Sequence, residues 1–132
     1  MGARAIAKVA RAAALAAALL PCSTAHAQLF RAYLSSAGSD ANPCTLPAPC
    51  RLLPAALAAV ASGGEVWLLD SANYNTATVD VAKSVTILAV PGVVGSVVST
   101  GGPAISVAAP GVRVVLRNLA IVPLQGAGAT GG

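Results

Sequence analysis

The sequence predicts an all-β chain built as a solenoid, and three observations predict it. No long helical period interrupts residues 65–122, where short apolar runs alternate with Gly and Pro. Central apolar residues recur near every twentieth position, with Trp67, Ile87 and Val107 as the best-aligned trio. The side chains are also those that fill a narrow bore: 56% of the 132 residues are hydrophobic, yet only 3% are aromatic. Short β-rich units at a fixed interval, with turn residues at their corners, mark stacked coils. Strands about 8–12 residues apart also suit a β-sandwich, so periodicity alone leaves that alternative open.

The elements follow in order, beginning with an address. Arg4, Lys8 and Arg11 form a positive region, residues 12–20 an apolar stretch, and Pro21 breaks it. Ala25-His26-Ala27 then places small residues at −3 and −1 of a signal-peptidase cut. Residues 1–27 therefore read as a secretory signal peptide, and the expected location is extracellular, periplasmic or at the cell surface. The apolar stretch falls far short of the roughly 20 residues that a membrane span needs, so no transmembrane anchor is expected. Cleavage would remove the sole histidine, His26, and with it any histidine base or ligand.

From Gln28 onward five basic residues face four acids, so the basic character of the whole sequence sits mostly in the leader. A near-neutral remainder offers no electrostatic footprint for nucleic acid or an anionic membrane. Cleavage leaves Cys44 and Cys50, separated by five residues that include Pro47 and Pro49. Two nearby cysteines in an exported chain point to a disulfide; zinc lacks two further ligands, and the spacing is not Cys-x-x-Cys. Closing so short a loop contributes about 2 kcal/mol on the chain-entropy model.

Phe30-Arg31-Ala32-Tyr33-Leu34 alternates and reads as a strand, and Gly38-Ser39-Asp40-Ala41-Asn42 as turns with Asx-type bonds to their own backbone. Residues 52–60 carry Leu53, Leu57 and Val60 on one helical face, with Pro54 in the first turn and Gly63-Gly64 ending the helix. That helix is expected to cover the open first coil and protect its strand edges. Strands are then expected at Glu65-Val66-Trp67-Leu68-Leu69, Thr78-Val79-Asp80-Val81, residues 84–90, Val97-Val98, Ala104-Ile105-Ser106-Val107, residues 112–116 and Leu119-Ala120-Ile121-Val122. Domain by domain, 1–27 is the leader, 28–63 the first strand, disulfide loop and helix, and 64–132 the first coils. The glycine-rich end at residues 125–132 supplies no second cap, and the chain reads as the N-terminal part of a longer protein.

Tyr33-Leu34-Ser35, Gly38-Ser39-Asp40, Asn42, Cys44 and Pro49-Cys50-Arg51 lead into Ala55-Ala56-Leu57. Gly63-Gly64-Glu65-Val66, Asn73-Tyr74 and Lys83-Ser84-Val85-Thr86-Ile87 follow. Over residues 30–122 this order resembles the opening of secreted bacterial right-handed parallel β-helix proteins of the pectate-lyase-like superfamily. The resemblance implies that fold and an extracellular carbohydrate context. It implies no catalytic residue, because the clustered acids with which such lyases hold calcium, or such hydrolases cleave glycosides, have no counterpart here. Asp40, Asp70 and Asp80 are scattered.

Three residues stand out as candidate ligand contacts. Arg113 and Arg117 lie four apart on extended chain and can share an outer face, where guanidinium forks suit the carboxylates of acidic sugars. Tyr74, in Asn73-Tyr74-Asn75, reads as the more exposed aromatic, and Trp67 as core packing. Asn118 is expected to hydrogen-bond along the stack. No Gly-x-Ser-x-Gly, phosphate loop or metal-ligand spacing occurs, so neither cofactor nor metal is expected. The expected function is extracellular carbohydrate recognition or processing with no catalytic site in this chain. Any enzyme in the full-length protein would be a polysaccharide lyase or glycoside hydrolase. The alternative is a structural or adhesive solenoid.

Overall fold

The computed structural model describes residues 27–124; residues 1–26, all but the last residue of the expected signal peptide at 1–27, and the glycine-rich end at 125–132 lie outside the described residues. The chain is β-rich. Among the described residues, strand β1 (Leu29–Leu34) is followed by one short helix, α1 (Leu53–Ala59), and then by strands only. These are β2 (Val60–Leu68), β3 (Ala72–Asn73), β4 (Val79–Asp80), β5 (Val85–Ala89), β6 (Gly95–Ser99), β7 (Ile105–Ser106), β8 (Val114–Arg117) and β9 (Leu119–Pro123).

Three parallel sheets result, with strand orders β1-β2-β5-β8, β3-β6-β9 and β4-β7. Within each sheet, neighbouring strands are non-consecutive in the chain or, for β1 and β2, separated by α1. Hairpins cannot make such parallel pairs, which need long crossovers. Here the β1–β2 crossover carries the disulfide loop and α1, and the later crossovers carry strands of the neighbouring sheets.

Alternation decides what faces inward. In β2 the buried set is Val60, Gly64, Val66 and Leu68; in β5 it is Val85, Ile87 and Ala89; in β6 it is Gly95, Val97 and Ser99. Val66 stands beside Ile87, and Ile87 beside Leu116. This pairing corrects the expected trio. Trp67 pairs with Leu88, not Ile87, and Val107 lies past β7, exposed. The interval from Ile87 to its partner is longer than that from Val66, because the corners differ in length.

Two asparagines, Asn75 buried and Asn118 exposed, tie distant segments together. Asn75 accepts the N–H of Val98 at 2.7 Å and donates to the Val98 carbonyl at 2.7 Å. Asn118 takes a left-handed φ of 54° at the corner between β8 and β9, which Asn tolerates better than most residues. Its amide donates back to the carbonyls of Val93 at 2.9 Å and Ala89 at 3.3 Å, from an exposed corner and not from an inward-turned position.

The helix ends differently from its sequence expectation. It stops at Ala59, and Val60 turns straight into extended backbone as the first residue of β2. Gly63 and Gly64 serve a bulge instead: the β1–β2 register shifts between Leu29↔Val60 and Arg31↔Glu65. Gly63 takes a φ of 83° there, and a Cβ on Gly64 would meet the Phe30 carbonyl at 2.5 Å. α1 buries Leu53, Ala56 and Leu57 and packs on β1, β2 and β4.

Protection of the free edge of β1 falls to the disulfide loop. The Tyr33 N–H donates to the Cys44 carbonyl at 2.8 Å, Cys50 N–H to Tyr33 at 3.0 Å, and Ser35 N–H to Cys50 at 3.0 Å. An edge paired in this way no longer templates other chains. The Cys44–Cys50 disulfide is present, with both residues buried and Cα atoms 4.6 Å apart. Asp40, expected to bond within its own turn, reaches across the loop instead and accepts the N–H groups of Arg51 and Leu52, both at 2.8 Å. That fixes the two residues immediately before α1, while the first N–H of the helix, on Leu53, donates to the Tyr74 carbonyl.

Candidate functional site on the outer face of the first sheet

The outward residues of β1, β2, β5 and β8 form two columns set by register. One runs Arg31, Glu65, Thr86, Val115; the other runs Tyr33, Trp67, Leu88, Arg117. Trp67 therefore lies on the outer face between buried Val66 and Leu68, which corrects its assignment to the core. Its indole N–H donates to Glu65 Oε2 at 2.9 Å. Arg31 donates to the same oxygen from Nε and Nη2, both at 2.8 Å, and lies 4.1 Å over the Trp67 ring. Tyr33 meets Trp67 edge-on at 6.3 Å between centroids. The sequence signal for this cluster was the strict alternation in both strands; apolar neighbours of Trp67 along the chain masked it.

The electrostatics follow from those contacts. The Arg31 hydrogen bond, then the Trp67 N–H, hold the Glu65 carboxyl below the usual carboxylate range, and the charges of Arg31 and Arg117 add to this. Glu65 raises the Arg31 guanidinium in turn. A carboxylate fixed in this way stays anionic at neutral pH and does not serve as a proton donor.

Beside the cluster is a shallow groove of about 320 Å³, lined by Gly63, Ser84, Thr86, Arg113, Val115 and Arg117 among others. Both candidate arginines share it. Ser84 fixes its floor, accepting the Arg113 N–H on Oγ at 3.0 Å and the Gly63 N–H on its carbonyl at 2.7 Å. Among the described residues the one ion pair is Arg31–Glu65, and neither Arg113 nor Arg117 enters it. Both guanidinia are exposed on a face whose nearest carboxylate is already engaged.

Tyr74 is not part of this face. It is fully buried, because its ring fills the corner after β3 and its hydroxyl donates to the carbonyl of Asp70 at 2.7 Å and to the Asp70 carboxylate. Its own carbonyl accepts the Leu53 N–H at 2.9 Å, so it also anchors α1. The expectation of an exposed sugar-stacking ring is thereby corrected. Burial first, then the bond to Asp70, raises the Tyr74 hydroxyl well above its ordinary value.

Asp70 is the hub of that corner. Burial works to raise its carboxyl, but the Tyr74 hydroxyl, the Ser36 N–H and the hydroxyls of Ser36 and Ser35 outweigh it, lowering it from 3.8 to about 2. A depressed folded-state value gives stability that is present above the unfolded value and is lost as pH falls through the folded one. Acid titration between pH 4 and pH 2 is therefore expected to remove about 1–2 kcal/mol, after allowance for partial exposure of Asp70. Asp70→Asn should flatten that part of the stability–pH curve, measured by urea unfolding at each pH.

No family model matches the chain, and neither a search of curated proteins nor one of solved structures finds a match. Among the described residues no helix is long and apolar enough to cross a membrane.

Proposed function

We propose that the chain is an exported module of right-handed parallel β-helix architecture, similar to the pectate-lyase-like superfamily, that recognises an acidic polysaccharide. The three parallel sheets with strands pairing circuit to circuit support the coil architecture. The disulfide, typical of oxidising compartments, and the leader at residues 1–27 support export. One observation carries the ligand: Arg113 and Arg117 line a single groove with the Ser84 and Thr86 hydroxyl-bearing side chains, outside the ion pair of the same face. Residues four apart on extended chain are separated by roughly 13 Å, which suits a polymer with repeated carboxylates better than one small acid. Guanidinium forks bind carboxylates with paired hydrogen bonds, while serine and threonine hydroxyls suit sugar hydroxyls.

Calorimetric titration with a uronic-acid oligosaccharide and its carboxyl-reduced, neutral counterpart tests this. The acidic oligomer should bind, more weakly as salt is raised. Arg113→Ala and Arg117→Ala should each weaken it about tenfold, the loss of one charge-assisted contact. Equal affinity for the neutral oligomer, or undiminished binding by the double variant, overturns the acidic-sugar reading. A structural or adhesive solenoid is the second reading, favoured by the engagement of Glu65 with Arg31 and Trp67. Failure of every oligosaccharide to bind would leave that reading in place.

A further inference from the structure

We infer that the exported chain is modified at its new N-terminus: Gln28, once released, closes on itself to a pyroglutamyl ring. The inference rests on the export reading, because a cut after Ala25-His26-Ala27 is what makes Gln28 the first residue. In the reaction the α-amino nitrogen attacks the Cδ carbon of the same residue's amide. A new N–Cδ bond forms, the Cδ–Nε2 bond breaks, and the amine's proton leaves with nitrogen as ammonia. No oxidant, reductant or second substrate is consumed, and the positive charge of the terminus disappears.

The structure leaves Gln28 able to do this. It is exposed and precedes β1, whose pairing begins at Leu29↔Val60, so no sheet hydrogen bond through Gln28 has to break for the residue to fold back. It also borders a groove of about 580 Å³ that runs past Leu29, Asp40 and Asn42 to the small side chains Ala55, Ala58 and Ala59 of α1, and the cut takes Ala27 out of that lining. Asp40 Oδ1 there already accepts two N–H groups just before the helix. An uncharged ring facing that groove would avoid the desolvation that an ammonium would suffer there. The product has no free amine for exopeptidases outside the cell.

Intact mass and stepwise N-terminal degradation of the protein secreted from the full chain test the inference. The expected result is a chain starting at Gln28, lighter by two hydrogens for the disulfide and by one ammonia, and blocked to degradation. In Gln28→Asn the side chain is one methylene too short for a five-membered ring, so the ammonia deficit and the block should both vanish. A degradable Gln28 terminus with its ammonia retained would overturn the cyclisation and leave export standing. So would an ammonia deficit that persists in Gln28→Asn. A product that retains residues 1–27 would overturn the export reading, and this inference with it.

Discussion

Ile87→Ala is expected to lower the unfolding free energy by about 3–4 kcal/mol, measured by urea denaturation. Ile87 is fully buried at the centre of β5. Its neighbours in the stack are Val66 in β2 and Leu116 in β8. Neither β-strand can move inward to fill the void, because each is held to its neighbours by continuous parallel ladders. The truncation therefore leaves most of its volume as a cavity, and close-packed interiors relax poorly around such voids. Leu116→Ala removes a side chain of the same volume from the same inward column, but Leu116 is 40% exposed. Its loss should cost clearly less, about 1–2 kcal/mol, since 40% of its surface stays in water in the folded chain. If the two substitutions cost the same, the inward column is not stacked as described.

Gly38→Ala is the second large effect, expected at about 3 kcal/mol or a failure to fold. Gly38 sits where the turn after β1 presses on the disulfide loop, and a Cβ there would run into the carbonyl of Cys50 and lie 2.8 Å from that of Pro49. Both are backbone atoms. The same backbone is pinned from the other side, as Ser39 N–H donates to the Pro49 carbonyl at 3.1 Å and Ser35 N–H to that of Cys50 at 3.0 Å. Relief would require moving the segment that closes the edge of β1. Gly102→Ala is the matched control. Its nearest new neighbour would be the Thr78 hydroxyl at 3.9 Å, so the change should be within about 0.5 kcal/mol of neutral. Thermal unfolding of both variants separates a steric cause from a general intolerance of substituted glycines.

The strands were legible because period-two alternation survives wherever a sheet buries one face. Val85, Ile87 and Ala89 are inward residues that the pattern places, whereas the apolar run around Trp67 hid that Val66 and Leu68 face inward in its stead. The disulfide was legible from two cysteines close in sequence. Pairing partners were not, since the corners between Ala89 and Val114 are longer than those between Leu68 and Val85, and a constant interval mispairs Ile87 with Val107. Tyr74 misled for a related reason: its polar neighbours Asn73 and Asn75 turn back onto the backbone. Asn73 donates to the Asn75 carbonyl and Asn75 to that of Val98, which leaves the ring inside. The helix end was masked by Gly63-Gly64, a pair that suits a helix stop and a β-bulge equally well on composition. Of the site, the shared groove of Arg113 and Arg117 followed from their spacing. The Arg31–Glu65–Trp67 cluster did not, because it depends on which residues of β1 and β2 stand side by side.

Residue-resolved amide chemical-shift mapping with a uronic-acid oligosaccharide tests the central claim most directly. The expected shifts cluster at Gly63, Ser84, Thr86, Arg113, Val115 and Arg117, with smaller ones at Trp67, and disappear in the Arg113→Ala/Arg117→Ala variant. Shifts confined to the groove beside Leu29, Ala55 and Ala58, or shifts that persist unchanged in that variant, would contradict it.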